Sequence, residues 1–339
     1  MPDRYDKMLG ALLGVALGDA MGMPAEGWSR RKIRERFGEI TGFLPGPDDN
    51  EISAGFRAYE TTDDTVVTML VAELILESDG HPEPIELVRK IEDWAAKNGK
   101  SKSVIGPSTR SAFVRIREGV PIEEAGRTGT TNGASMRIAP AGMFCDYRRE
   151  EELAGLVKRL CLPTHNTAPA ISAASAVAAA VSHGIYGNGS RDEMLAVSLS
   201  AAERGAQYGF DVCSASIASR LRLAIELSGR CMQDEEFLQA LYETVGTGLP
   251  SGESVPAALA IAYRTDRDLM KSIRLCANAG GDTDTMGAIA GAVCGAYQGA
   301  SSIDPDHVSA LTAINPFSFS QIAKAFVLLS NRPWHAKGF

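Results

Sequence analysis

Two short clusters of hard oxygen donors mark where this chain could do chemistry: Thr61-Thr62-Asp63-Asp64-Thr65 and Gly280-Gly281-Asp282-Thr283-Asp284-Thr285. Each opens an expected helix. Taken singly, each is explained by capping, because Thr and Asp accept from free backbone N–H groups and carboxylates suit the positive end of a helix dipole. Capping needs one side-chain oxygen, however, and each cluster carries two carboxylates flanked by hydroxyls. Four carboxylates gathered in one place repel and raise one another's pKa unless cations neutralise them. Oxygen-only donors select Mg²⁺, Mn²⁺ or Ca²⁺ over zinc. Neither cluster has the glutamate offset of an EF-hand loop, and the chain has no H-E-x-x-H, no phosphate loop with its lysine and no G-x-S-x-G elbow. The five histidines form no zinc pattern, and the six cysteines contain no C-x-x-C pair and read as small buried hydrophobes.

Two further stretches read as ligand cradles or as ordinary turns. Gly129-Thr130-Thr131-Asn132-Gly133-Ala134-Ser135-Met136-Arg137 offers small residues whose N–H groups could face an anion at a helix start; the alternative is a capped loop. Thr164-His165-Asn166-Thr167 precedes an alanine-rich helix, where a lone histidine serves either as a structural hydrogen-bonder or as a ligand contact.

The elements that must position these residues are helices. Helical periodicity is expected from Thr62 to Glu77, through Ile85, Val88, Ile91 and Trp94, and through Leu153, Leu156, Val157 and Leu160. It continues over 168–185, 191–208, 212–227, 235–245 and 254–263, and a glycine-striped helix is expected from Met286. No run alternates as a strand does, which predicts an all-α fold of a dozen or more helices. No Pro/Gly/Ser linker divides the chain, so residues 1–339 are expected to form one domain. The stretch from Gly42 to Ala58 is long and irregular, a candidate substrate-facing loop. Gly10, Gly14, Gly18 and Gly22 are spaced by four, as are Gly287, Gly291, Gly295 and Gly299. Such a stripe inside a helix, where each glycine costs about 1 kcal/mol against alanine, predicts close backbone approach between two helices. Both stripes adjoin acidic residues, so their packing would bring the clusters together.

Composition narrows the function classes. With 339 residues, 45% hydrophobic and 22% charged, the chain is globular, and its net charge of -8 advertises no face for nucleic acid. Arg4 and Lys7 precede the apolar run Met8 to Leu17, but Asp3 and Asp6 are wrong for a secretory leader. The apolar stretch Ala168 to Val181 is shorter than a membrane span. A cytoplasmic protein without membrane or nucleic-acid partners is expected.

In order, Gly18-Asp19-Ala20-Met21-Gly22 with Glu26, then Thr62-Asp63-Asp64-Thr65, Asn132-Gly133-Ala134, Thr164-His165 and Gly280 to Thr285 resemble the motifs of the ADP-ribosylglycohydrolases, from about Tyr5 to about Ala300. The resemblance implies a single compact multi-helix domain with two Mg²⁺ or Mn²⁺ ions in a cleft. It implies Thr62, Asp63 and Asp64 as ligands from one side, and Asp282, Asp284 and Thr285 from the other, with Asp284 between the ions. Glu26 is similar to an acidic residue that in some members reaches the metals from a mobile segment; general acid/base work is its alternative role. Together Glu26, Asp63, Asp64 and Asp284 form the expected catalytic set. Thr131, Asn132, Gly133, Ala134, Ser135 and His165 look like contacts to the ribose and diphosphate of ADP-ribose. One departure is Val104, where the family often has an acid before the Ile105-Gly106 pair, which puts arginine-linked substrates in doubt. The implied activity is metal-dependent hydrolysis of an N- or O-glycosidic bond to ADP-ribose. Hydrolysis of a small N-riboside at the same centre and a non-catalytic ADP-ribose-binding protein are the alternatives.

Overall fold

The computed structural model describes residues 2–99, 105–187 and 189–331. Val104, and with it the departure from the family's acidic position, lies outside the described residues. Among the described residues there are seventeen α-helices and no strand, only three isolated bridges. One continuous apolar core runs from Met8 to Leu329, and the all-α class expected from the sequence is the one observed.

Two helices set the centre of the molecule, Arg4–Gly22 and Thr283–Gln298, and they lie antiparallel with their glycine stripes facing. A Cβ added at Gly10 would lie 2.4 Å from the carbonyl oxygen of Gly295, at Gly14 2.1 Å from that of Gly291, and at Gly18 1.9 Å from that of Gly287. No side chain fits between the backbones, which accounts for the glycines. The stripes end unequally. Gly22 faces Thr283, whose hydroxyl donates to the Gly22 carbonyl at 2.7 Å, and Gly299 is not helical but forms the left-handed cap at φ +79°.

Helix Asp63–Glu77 starts where its chemistry predicts, with Thr62 as its N-cap accepting from Asp64 N–H. Helix Pro84–Lys97 and helix Glu150–His165 cover the predicted apolar periods. Helix Ala168–Tyr186 continues past Val181 to 19 residues, longer than the apolar run suggests. By length and composition it and Arg4–Ala25 could each cross a membrane, yet both are buried inside this fold. Several boundaries differ from expectation: the helix expected over 191–208 ends at Gly205, the one expected from Ser254 begins at Ser251, and the one expected from Met286 begins at Thr283. The helix expected from Val212 begins at Ile217, because Ser216 provides the cap that accepts from Ser219 N–H. The segment expected to run helical to Val245 leaves α geometry after Ala240 and closes as a π-turn over Leu241–Val245. The stretch from Gly42 to Ala58 contains no helix and is organised by Asn50, whose amide donates to the Pro24 and Glu26 carbonyls. All six cysteines are free thiols.

Candidate metal centre

The facing glycine helices deliver Glu26 and Asp282 to the same place. Beyond Gly22 the chain makes one tight turn, Met23–Ala25, and then pairs with the turn before the second glycine helix: Gly27 N–H donates to Gly281 O, and Gly281 N–H to Trp28 O, both at 2.8 Å. Gly280 and Gly281 hold φ of +74° and +79°, and a Cβ at Gly281 would lie 2.3 Å from the Thr247 carbonyl. Both are therefore glycine for conformational and steric reasons. The result is a group in which carboxylate oxygens of Glu26, Asp282 and Asp284 all lie within 4.8 Å of one another.

Asp63 and Asp64 stand outside that trio on their own helix but near enough for the charge of Asp63 to act on Glu26 and that of Asp64 on Asp284. The Thr62 hydroxyl donates to Asp284 Oδ2 at 3.4 Å, which bridges the two acidic clusters. Asp19, fully buried in the first glycine helix, fixes that approach: its carboxylate accepts from Thr62 N–H and Thr65 N–H at 3.0 Å and from the Thr65 hydroxyl at 2.6 Å. Asn315 holds the turn from the other flank by accepting from Thr61 N–H and Oγ1. The sequence reading assigned roles to neither Asp19 nor Asn315. A signal for Asp19 existed, since a lone carboxylate within an otherwise apolar helix must have a partner; Asn315 has no comparable mark.

Burial raises the pKa of every carboxylate in the group. For Asp63 and Asp64 the charge of Asp19 adds to it, and for Asp284 those of Glu26 and Asp282 do. Glu26 is raised well above its usual range by burial, then by the charges of Asp282 and Asp63. Asp282 is raised less, because hydrogen bonds from Asp284, Asn132 and Thr285 oppose burial. Asp19 is pushed up to about 6 by burial against its hydrogen bonds with Thr65 and Thr62. Three oxygens, Glu26 Oε2, Asp64 Oδ1 and Asp284 Oδ1, are sealed from solvent with no hydrogen-bond partner. Clustered, unpartnered, oxygen-only donors fit a hard divalent cation.

The segment from Thr131 to Ser135 divides by facing. Thr131 and Gly133 are partly exposed, whereas Asn132, Ala134 and Ser135 are buried. Asn132 does not offer a free cradle: its backbone N–H donates to Leu249 O, and its amide donates to Asp282 Oδ2 and to Ser254 Oγ. It holds Asp282 in place. His165 is wholly buried, and burial with the nearby Arg137 charge keeps its pKa well below the usual value, so it is neutral. Its ring nitrogens are both engaged, by the Thr164 hydroxyl at 2.7 Å and the Thr131 hydroxyl at 3.0 Å. His165 therefore offers no free ring nitrogen to a ligand. Gly133 is small for the same ring, since a Cβ there would lie 3.0 Å from His165 Cε1.

Raised carboxylate pKa values make a testable prediction. Between the ordinary and the raised pKa the folded chain binds more protons than the unfolded one, so the metal-free protein loses stability as pH rises through that window. Its thermal midpoint is expected to be higher at about pH 5.5 than at about pH 8. Saturating Mg²⁺ or Mn²⁺ is expected to stabilise by about 2.7 kcal/mol at a hundred times its dissociation constant, and by clearly less at the lower pH, where protons compete. Equal cation stabilisation at both pH values, or none at either, would count against a carboxylate-held cation.

A model of the family described as ADP-ribosylglycohydrolase matches residues 1–334. The protein YegU of Escherichia coli (strain K12), itself uncharacterized, is 39% identical over 95% of this chain and 96% of its own. ADP-ribosylhydrolase ARH3 of Gallus gallus is 26% identical over 87% of this chain and 86% of its own. A solved structure titled as an ADP-ribosylglycohydrolase-related protein complex superimposes with a TM-score of 0.71 at 26% identity, covering 97% of this chain and 100% of the other.

Proposed function

The chain belongs to the ADP-ribosylglycohydrolase family of glycosidic-bond hydrolases, and on that premise we propose that it removes ADP-ribose from a protein or a small molecule, using two Mg²⁺ or Mn²⁺ ions. The observation that carries this reading is the meeting of carboxylate oxygens of Glu26, Asp282 and Asp284 within 4.8 Å of one another, with Glu26 Oε2 and Asp284 Oδ1 left without a hydrogen-bond partner. Thr62, Asp63, Asp64, Asp282, Asp284 and Thr285 would hold the cations. When bound, these would neutralise the cluster, orient the ribose hydroxyls and lower the pKa of a water.

The chain's own groups then have separate tasks. Hydrolysis at an anomeric carbon passes through a state with positive charge on the sugar ring, which nearby carboxylates favour. Glu26, whose carboxyl is raised well above its usual range in the metal-free cluster by burial and its anionic neighbours, is the group we assign to donate to the departing group and afterwards to accept from the attacking water. Its position is set by the Gly27–Gly281 bridge and by Asn50 on its carbonyl. Thr131 and Gly133 face the cleft as contacts for ribose and diphosphate. Asn132, Ala134, Ser135 and His165 support them from behind.

A second reading, cleavage of a small N-riboside, is favoured by a cavity of about 330 Å³ beside Thr62, lined also by Phe56, Glu60 and Trp94. That volume is near the lower end of small-molecule sites. A hydrolysis panel of ADP-ribosyl-arginine, ADP-ribosyl-serine, acetylated ADP-ribose and simple N-ribosides, run with and without chelator, separates the readings. Release of ADP-ribose that the chelator abolishes is the expected result. Release of ribose alone would replace it with the second reading, and tight ADP-ribose binding without turnover with a non-catalytic role.

A further inference from the structure

A second cavity, of about 940 Å³, opens between helices Arg30–Phe37, Ile217–Arg230, Ser251–Arg264 and Leu269–Ala277, and none of the residues assigned to the acidic centre lines it. Its charge is opposite to that of the chain. Arg34, Arg191, Arg264, Lys271 and Arg274 line it against three carboxylates, whereas the whole protein carries -8. Two of those carboxylates are already engaged. Asp234 takes Arg264 at 2.7 Å and Lys271 at 3.0 Å, and Glu235 takes Arg34 together with Arg30 from behind the wall. Arg191 and Arg274 have no carboxylate within ion-pair distance among the described residues, and Arg274 Nε is sealed from solvent without a hydrogen-bond partner. Arg191 instead lies over the Tyr263 ring, 4.6 Å from its centroid.

Guanidinium groups with no carboxylate partner in a concave site, where Arg191 meets the Tyr263 ring and carbonyl, suit phosphate oxygens, which they can bind in pairs of parallel hydrogen bonds. The volume lies at the upper end of small-molecule sites, far more than an inorganic ion fills. Tyr263, Ile225 and Leu238 offer apolar surface for an organic part. We propose that this cavity is a second ligand site, which takes a phosphorylated metabolite of nucleotide size, with Arg274 and Arg191 supplying the charge that holds its phosphate. An occupant would lie against Asn278, whose amide bonds both N–H and carbonyl of Ile40 and whose own carbonyl accepts from Arg30. Asn278 begins the turn that presents Asp282, so the site abuts the backbone of the acidic centre without sharing its donors.

The test is calorimetric titration of the full chain with AMP and, separately, with inorganic phosphate, after chelation. Chelation removes any cation that could hold a phosphate at the acidic centre, and the two arginine variants assign the remaining binding to the cationic cavity. Saturable binding of AMP at one site, tighter than that of phosphate, is expected. Arg274→Gln and Arg191→Gln, each verified as folded by its urea midpoint, are expected to weaken AMP by about tenfold or more, the scale of one charge-assisted hydrogen bond. Absence of saturable AMP binding, or binding that neither variant weakens, would overturn the site. Phosphate binding as tightly as AMP would overturn its nucleotide size. Because no readout involves turnover, these outcomes are independent of whether the acidic centre hydrolyses ADP-ribosyl substrates.

Discussion

Asp284→Asn is expected to lower metal-dependent turnover by at least about 100-fold, since loss of even an outer partner of a metal site reaches 10- to 100-fold. Asp284 stands where both acidic clusters meet: Oδ2 accepts from Thr62, Oδ1 has no partner, and Glu26, Asp282 and Asp64 surround its carboxyl. The same substitution removes one of several mutually repelling charges. The metal-free variant is therefore expected to be as stable as the parent at neutral pH, or more so, while its stabilisation by Mg²⁺ or Mn²⁺ is largely lost. Parallel thermal melts with and without cation read both effects. A simple folding defect would lower the metal-free midpoint, and a site elsewhere would leave the cation response intact; either result removes Asp284 from the proposed centre.

Gly18→Ala is expected to be the most damaging of the conservative substitutions, costing about 3 kcal/mol or more, the upper range for overpacking a filled interior. That is a large share of the roughly 5–15 kcal/mol that holds a domain folded. The added methyl would lie 1.9 Å from the Gly287 carbonyl oxygen and 2.2 Å from its carbon, both backbone atoms that no rotamer change can move aside. The two helices must separate. Asp19, the next residue, would shift with its hold on Thr62 and Thr65, so turnover is expected to fall along with stability. Gly229→Ala is the matched control. It lies inside helix Ile217–Arg230 with no atom within 4 Å of the added carbon, and is expected to stabilise by about 0.4–1 kcal/mol. Urea midpoints of both variants decide the matter: equal midpoints for Gly18→Ala and the parent would mean that the glycine contact is not tight.

What was legible along the chain was local. Thr62 identifies itself as a cap because its oxygen bonds a neighbour two residues on, and helix Pro84–Lys97 declares itself by its apolar period. The glycine stripes announce close packing, since nothing else explains that spacing inside helices. Where local signals are weak, the reading shifts: the apolar period suggests a helix from Val212, and the helix starts only after Ser216, whose side chain accepts from Ser219 N–H. The Asn132 segment shows the deeper difficulty. Its small residues suggest a cradle for an anion, yet Asn132 turns inward to Asp282, which lies 150 positions away in the chain. For His165 the sequence leaves a structural hydrogen-bonder and a ligand contact both open, a choice that depends on its burial and its two hydroxyl partners.

By itself the sequence determined the chemistry of the side chains available: oxygen donors only, in two clusters at helix starts, with small residues beside them. These follow from residue type and from spacing within a few turns, which act at short range along the chain. Only the tertiary structure decided that the clusters share a site, that Asp19 anchors one of them, and that Glu26 reaches the other. Those outcomes depend on the register in which helix Arg4–Gly22 lies against helix Thr283–Gln298, which is set by backbone contact at each paired glycine. They depend also on burial, which raises the carboxylate pKa values and is a property of what surrounds each group in space.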